Sequence, residues 1–203
     1  MDYRLTRTLL SGCLLVLTLF TAHADTTDLI RAKELYFKGV DGDKSCTRES
    51  LRLLESLARQ SPADPVVLVY LSSNKLLESG RTFALWNKNR LAKEGILGMD
   101  KSVALAPDNV EIRFVRALST YELPSFFQRR KQSEQDLAWL APRVAPAVEK
   151  GELSKDLAAA ALYFHGMVRE RMGDRQNAIG VWRNAASLSP ASKAGQAAAS
   201  KLR

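Results

Sequence analysis

The sequence predicts an all-α fold, antiparallel helix hairpins stacked side by side as a short α-solenoid. Apolar residues recur at helical spacing almost everywhere, and the period-2 alternation of a half-buried strand is nearly absent. Pro, Gly and Asp-Asn pairs interrupt these stretches at intervals that suit helix-turn-helix hairpins. A compact bundle and a solenoid both fit an even succession of about nine helices, and internal repetition decides between them.

The elements follow in order. "TTDLIRAKELYFKGV" sets Leu29, Ile30, Lys33 and Phe37 along one side of a helix that ends near Gly39. In "TRESLRLLESLARQSP", Leu51, Leu54, Leu57 and Ala58 form one stripe, Thr47 is the expected N-cap and Pro62 lies past the end. Cys46 is expected at the start of that helix, partly buried. "ADPVVLVYLSSNKLLES" opens with Asp64-Pro65, a cap followed by a first-turn proline, and Gly80 closes it. A longer helix is expected from Thr82 to Ala106, bent near Gly95 and Gly98, followed by one bounded by Pro107 and Pro124. Further helices are expected at 125–140, 153–172, 174–188 and 191–202. "APRVAPAVEKGEL" reads as a linker, because Pro142 and Pro146 would break a helix there.

Residues 1–24 have the form of a cleaved secretory signal. Arg4, Arg7 and the amino terminus outweigh Asp2, an apolar run follows through Phe20, and Ala22-His23-Ala24 supplies the small-x-small site before Asp25. Leu10-Ser11-Gly12-Cys13 has the shape of a lipobox, which would tether a lipoprotein through Cys13. Only Thr8 to Gly12 separate that cysteine from Arg7, too short an apolar run to end in such a site. The run is also shorter than the roughly 20 residues of a spanning anchor. The expectation is one domain, 25–203, released into a periplasm, with the lipoprotein at Cys13 as the alternative.

Thirty Lys and Arg against 22 Asp and Glu leave a net charge of +8, spread along the chain. Its densest cluster, Arg129, Arg130 and Lys131, is a candidate anion patch for an acidic protein or for peripheral contact with a membrane, against the plainer reading of a solvated face. Nucleic acid is not an expected partner, since no recognition module or basic-aromatic interleaving is present. Beyond the signal only Cys46 and His165 remain of their types, so neither an internal disulfide nor a Cys/His metal set is available. No cofactor and no catalytic residue is assigned. His165 is read as a core or half-buried histidine, and the oligomeric state stays open.

The stretch "ALYFHGMVRERMGDRQNAIGVWRNAASLSP" carries Gly166, Gly173, Ala178, Trp182, Ala185 and Pro190 in a spacing that resembles a tetratricopeptide repeat unit. Gly166 and Ala178 are small where two antiparallel helices cross. Gly173 turns the chain beside Asp174 as a cap, and Trp182 fills the gap to a neighbouring helix. His165 and Arg169 depart from the family's usual leucine and tyrosine. The resemblance is specific over 159–190 and looser over 64–122, and the stretch 113–140 is similar to exported bacterial repeat proteins with degenerate repeats.

Such repeats act as scaffolds whose first helices line a concave groove for a partner protein or peptide. Carried over by position, the resemblance implies a groove of Glu111, Phe114, Leu118 and Tyr121 in one unit, and Tyr163, Met167, Glu170 and Arg171 in the last. Arg113 and Arg116 fall where the family packs apolar side chains. They either pair with an acid or join Arg129 and Arg130 in a site for an anionic ligand. The rival class is a cell-wall lytic enzyme on a helical superhelix, for which Glu49-Ser50, Glu55-Ser56 and Glu78-Ser79 offer glutamate-serine pairs. None of them leads into the glycine-rich stretch such enzymes have.

Overall fold

The computed structural model describes residues 26–203, so the signal segment with Cys13, Ala22 and Ala24 lies outside the described residues. Among the described residues the fold is all-helical, with no strand. Four helix pairs carry it: α1 (Thr26–Val40) with α2 (Lys44–Gln60), α3 (Pro65–Ser79) with α4 (Leu85–Leu105), α5 (Val110–Tyr121) with α6 (Arg130–Leu140), and α8 (Lys155–Arg171) with α9 (Arg175–Leu188). A short 3-10 turn (Ser125–Phe127) and a six-residue helix, α7 (Val144–Glu149), fill the connections on either side of α6. The last helix, α10 (Lys193–Ser200), packs on α9 and α8.

Local chemistry sets most of the starts. Asp64 accepts from the Val66 and Val67 amides at 2.8 and 3.1 Å, with Pro65 in the first turn where its missing N–H costs nothing. Asn109, Ser154 and Ser192 cap α5, α8 and α10 in the same way. At α2 the cap is Asp43 rather than Thr47. The Asp43 carboxylate takes the Ser45 hydroxyl and the Ser45 and Cys46 amides, which hold its pKa well below the usual carboxylate range. Thr47 is instead buried inside the first turn, where it accepts from the Arg81 guanidinium, and Arg81 also donates to the Gly39 carbonyl at 2.6 Å. One arginine thus ties the second pair to the first.

One further expectation gives way. Pro146 sits in the first turn of α7, where no i−4 carbonyl stands in its way, so a helix forms across the supposed linker. Gly95 and Gly98 serve close approach. A Cβ on Gly95 would lie 2.6 Å from the Ser72 carbonyl oxygen, and one on Gly98 would overlap the Ser72 hydroxyl, so these two glycines let α4 lie against α3. The turn between α8 and α9 uses Gly173 at φ 81°, a conformation disfavoured with a Cβ.

The core runs unbroken through all four pairs, with Leu54, Leu57, Tyr70, Met99, Ile112, Leu137, Leu140 and Trp182 among its fully buried large side chains. No described helix is long and apolar enough to cross a membrane.

Candidate functional site

The first helix of each pair contributes to one apolar cleft of about 510 Å³. Tyr36, Phe37 and Val40 come from α1, Ser73, Leu76 and Leu77 from α3, Phe114, Val115, Leu118 and Ser119 from α5, and Leu157, Ala160 and Phe164 from α8. No second helix of a pair reaches its wall. The volume and the apolar lining are those of a site that takes an apolar group.

The cleft has a polar spot. The Tyr36 hydroxyl and Ser73 Oγ lie 2.6 Å apart, Ser73 and Ser119 Oγ 2.6 Å apart, and Tyr36 is 3.4 Å from Ser119. Three hydroxyls close on one another and satisfy each other without a charge. Burial pushes the Tyr36 phenol up, against the pull of its two serine partners. Tyr70 packs edge-on against Tyr36 and donates to Glu111 at 2.7 Å; burial and the Glu111 charge both drive its pKa far up. Glu111 is answered by Lys33 at 2.8 Å. These charges neutralise each other beside the cleft, and no carboxylate lines its wall.

The residues expected to form the groove divide. Phe114 and Leu118 line the cleft, Phe114 buried and Leu118 half-buried. Glu111 anchors Tyr70 and Lys33. Tyr121 is buried, edge-on to Phe164 with ring centroids 5.3 Å apart and with the Arg130 guanidinium 4.3 Å from its ring. On α8 the cleft takes Leu157, Ala160 and Phe164, while Tyr163, Met167, Glu170 and Arg171 do not line it. Glu170 pairs with Arg175 and Lys201, each at 2.8 Å, and Arg171 reaches Glu134 and the Tyr121 hydroxyl. Sequence offsets missed the contribution of α1 and α3 altogether, although Tyr36, Phe37, Leu76 and Leu77 are apolar at helical spacing.

Arg113 and Arg116 are structural pairs. Arg116, 7% exposed, grips Asp136 with Nε to Oδ2 at 2.8 Å and Nη2 to Oδ1 at 2.9 Å. Arg113 reaches the same carboxylate at 2.9 Å and lies over the Trp139 ring. Asp100 on α4 accepts from Arg116, Arg129 and Gln132. Arg129, Arg130 and Lys131 therefore do not act as one patch: Arg129 turns inward to Asp100, Arg130 stacks on Tyr121, and Lys131 alone is exposed. The glutamates of the glutamate-serine pairs lie away from the cleft wall, with Glu49 on Arg31 at 2.5 Å and Glu55 at the surface.

A second, polar cleft of about 360 Å³ lies between α8 and α9, lined by His165, Arg169, Asn177, Gly180, Val181, Arg183 and Asn184. His165 is 5% exposed and accepts at Nε2 from Arg169 Nε at 3.4 Å, so its proton belongs on Nδ1. Burial, then the Arg169 charge, push its pKa below the ordinary histidine value. The unfolded chain therefore takes up a proton before the folded one does, and stability is lost as pH falls below about 6.5 through the folded value. His165→Gln should flatten that limb of a melting-temperature profile, while the carboxylate limb at lower pH stays. Parallel profiles for the two proteins would remove His165 as the cause.

No family model, curated protein or solved structure matches this chain.

Proposed function

We propose that the protein is an exported scaffold of the tetratricopeptide-repeat kind, which holds an apolar segment of a partner protein in the cleft of α1, α3, α5 and α8. The observation that carries this reading is the composition of the cleft wall, made of first helices with Gly80 and Leu123 from the connections after two of them, and almost wholly apolar. Phe37, Leu118 and Phe164 are half-buried there, so they already pack on the core and have surface left to give to a ligand. The hydroxyls of Ser73, Ser119 and Tyr36 offer a place for one polar group, which fixes orientation. The hairpin motif at Gly166 and Trp182 supports the family reading, and the small-x-small site at Ala22 and Ala24 supports export to a periplasm.

The half-buried residues are the ones to change. Leu118→Lys places a charge in the cleft while its long stem can extend toward water, so the fold is kept. Affinity capture from intact cells after brief crosslinking, with chain 25–203 as bait behind its own signal, should enrich one abundant partner. Leu118→Lys should reduce that capture about tenfold or more, and the control Leu97→Lys, at an exposed position on α4, should leave it intact. Enrichment of no protein above a signal-only control, or capture indifferent to Leu118→Lys, would overturn the scaffold reading.

A further inference from the structure

The connection between α3 and α4 ends in a group of bare apolar side chains. Phe83 is 101% exposed, Leu85 71% and Trp86 76%, within a run of four residues. The other large exposed apolar residues, such as Ile30, Leu97, Leu105 and Met172, stand singly along the chain, which is ordinary for a protein surface. Three together at a tip are not.

The charge around the tip is predominantly positive. From Lys75 to Glu94 the chain carries five bases and two acids. Glu94 is shared between Lys75 at 2.9 Å and Arg90 at 2.7 Å, so that trio keeps a positive balance, and its two basic partners draw its pKa down, Lys75 most. Arg81 is spent on neutral acceptors, the Gly39 carbonyl and the Thr47 hydroxyl, and so keeps its charge. Lys88 and Lys93 are exposed and take part in no ion pair among the described residues. An apolar Phe-Leu-Trp tip backed by exposed bases has the composition of an interfacial membrane contact, with aromatics at headgroup level and lysines against lipid phosphates.

We infer that the tip formed by Phe83, Leu85 and Trp86, with Lys88, Arg90 and Lys93 behind it, docks on the surface of an anionic lipid bilayer. A protein partner fits less well. Two aromatics and a leucine give at most about 600 Å², short of the roughly 800 Å² that each side of a stable interface buries. A bilayer needs only side chains that reach past the headgroups and a cationic collar that stays outside. The inserted part is a tip and not a helix laid flat, because the exposed face of α4 past the tip carries Lys88, Asn89, Arg90, Lys93 and Lys101, while its other face packs on α3 at Gly95 and Gly98. Gly80, which lines the apolar cleft, stands three residues before Phe83, about 10 Å of chain at most. A docked tip therefore sets one end of the cleft close to the lipid, whatever the cleft holds.

The test is flotation of chain 25–203, which contains the whole described core, with vesicles of phosphatidylcholine alone and of phosphatidylcholine mixed with phosphatidylglycerol. Trp182 is fully buried and Trp139 is half-buried between Arg113 and Arg143, so a blue shift of tryptophan emission on binding reports Trp86. The expected result is binding to the anionic vesicles that weakens with salt and a blue-shifted emission. Phe83→Ser with Leu85→Ser should weaken it roughly tenfold or more with an unchanged melting temperature, since both residues are exposed. Lys88→Glu with Lys93→Glu should weaken it to a similar degree. No flotation with anionic vesicles, equal binding by the serine variant, or a concentration-dependent dimer that disappears in the serine variant would each overturn the proposal.

Discussion

Replacing Asp136 by alanine is expected to lower stability by about 3–5 kcal/mol, the range for a buried ion pair that loses one partner. Asp136 is 1% exposed, and both of its oxygens are taken, Oδ2 by Arg116 and Oδ1 by Arg116 and Arg113. Without it Arg116 stays buried with a single contact to Asp100 at 3.2 Å, while Arg113 is open enough to be solvated and still has Trp139. The cost thus falls on the unpaired Arg116 charge rather than on the lost contacts themselves. For a domain of this size it corresponds to a fall in melting temperature of roughly 10 °C. The double change Arg116→Ala with Asp136→Ala should cost clearly less than the sum of the single ones, because it removes the stranded charge together with its partner. Strictly additive losses in a denaturant cycle, or a loss under about 1 kcal/mol for Asp136→Ala, would show that the cluster is solvated and of little weight.

The parts of the fold that were legible in the sequence are those fixed within a turn or within one hairpin. Asp64-Pro65 and Gly173 act on neighbours a few residues away, and Gly166 with Trp182 acts across a single pair of helices. Thr47 misled because two good capping residues stand four apart, and Asp43, with a carboxylate that can take two amides, extends the helix by a turn. The cleft was legible only in part. Phe114 and Leu118 follow from their offset on α5, but on α8 the same offset points to Tyr163 and Met167, and the wall uses Ala160 and Phe164. The rotation of α8 depends on α6, α7 and the turns between them, a length of chain that no periodicity describes. Arg113 and Arg116 posed a question that only distance could answer, since their acids come from α4 and α6. The Phe83 tip was invisible because an apolar residue on a helix is read as core until its neighbours are known.

The joint where α8 crosses α9 is closely packed, and changes there should act in pairs. Trp182 has no exposed surface, donates from Nε1 to the Tyr163 carbonyl at 3.1 Å, and has the Lys201 ammonium 5.1 Å from its ring. Trp182→Ala should cost about 3–5 kcal/mol, as expected for a large aromatic removed from a core that cannot fully collapse. It should also loosen α10, whose end rests on that ring. Gly166 is the other half of the joint, because a Cβ there would overlap the indole of Trp182 at Nε1 and Cδ1. Gly166→Ala should therefore cost about 1–3 kcal/mol by overpacking, although alanine is by itself the better helix former. The two effects oppose each other in volume. Trp182→Leu gives up the ring edge, Nε1, Cδ1 and Cε2, that Gly166 faces, so in that background Gly166→Ala should cost little or even stabilise, a coupling of about 1 kcal/mol or more in urea unfolding. Equal cost of Gly166→Ala in both backgrounds would mean that glycine is required by the backbone and not by the indole. The joint also governs the cleft, since Ala160 and Phe164 lie on the helix that Trp182 holds in place. Trp182→Ala at a temperature where the protein is still folded should then weaken partner capture without touching a single cleft residue, whereas Trp182→Phe should leave it nearly intact.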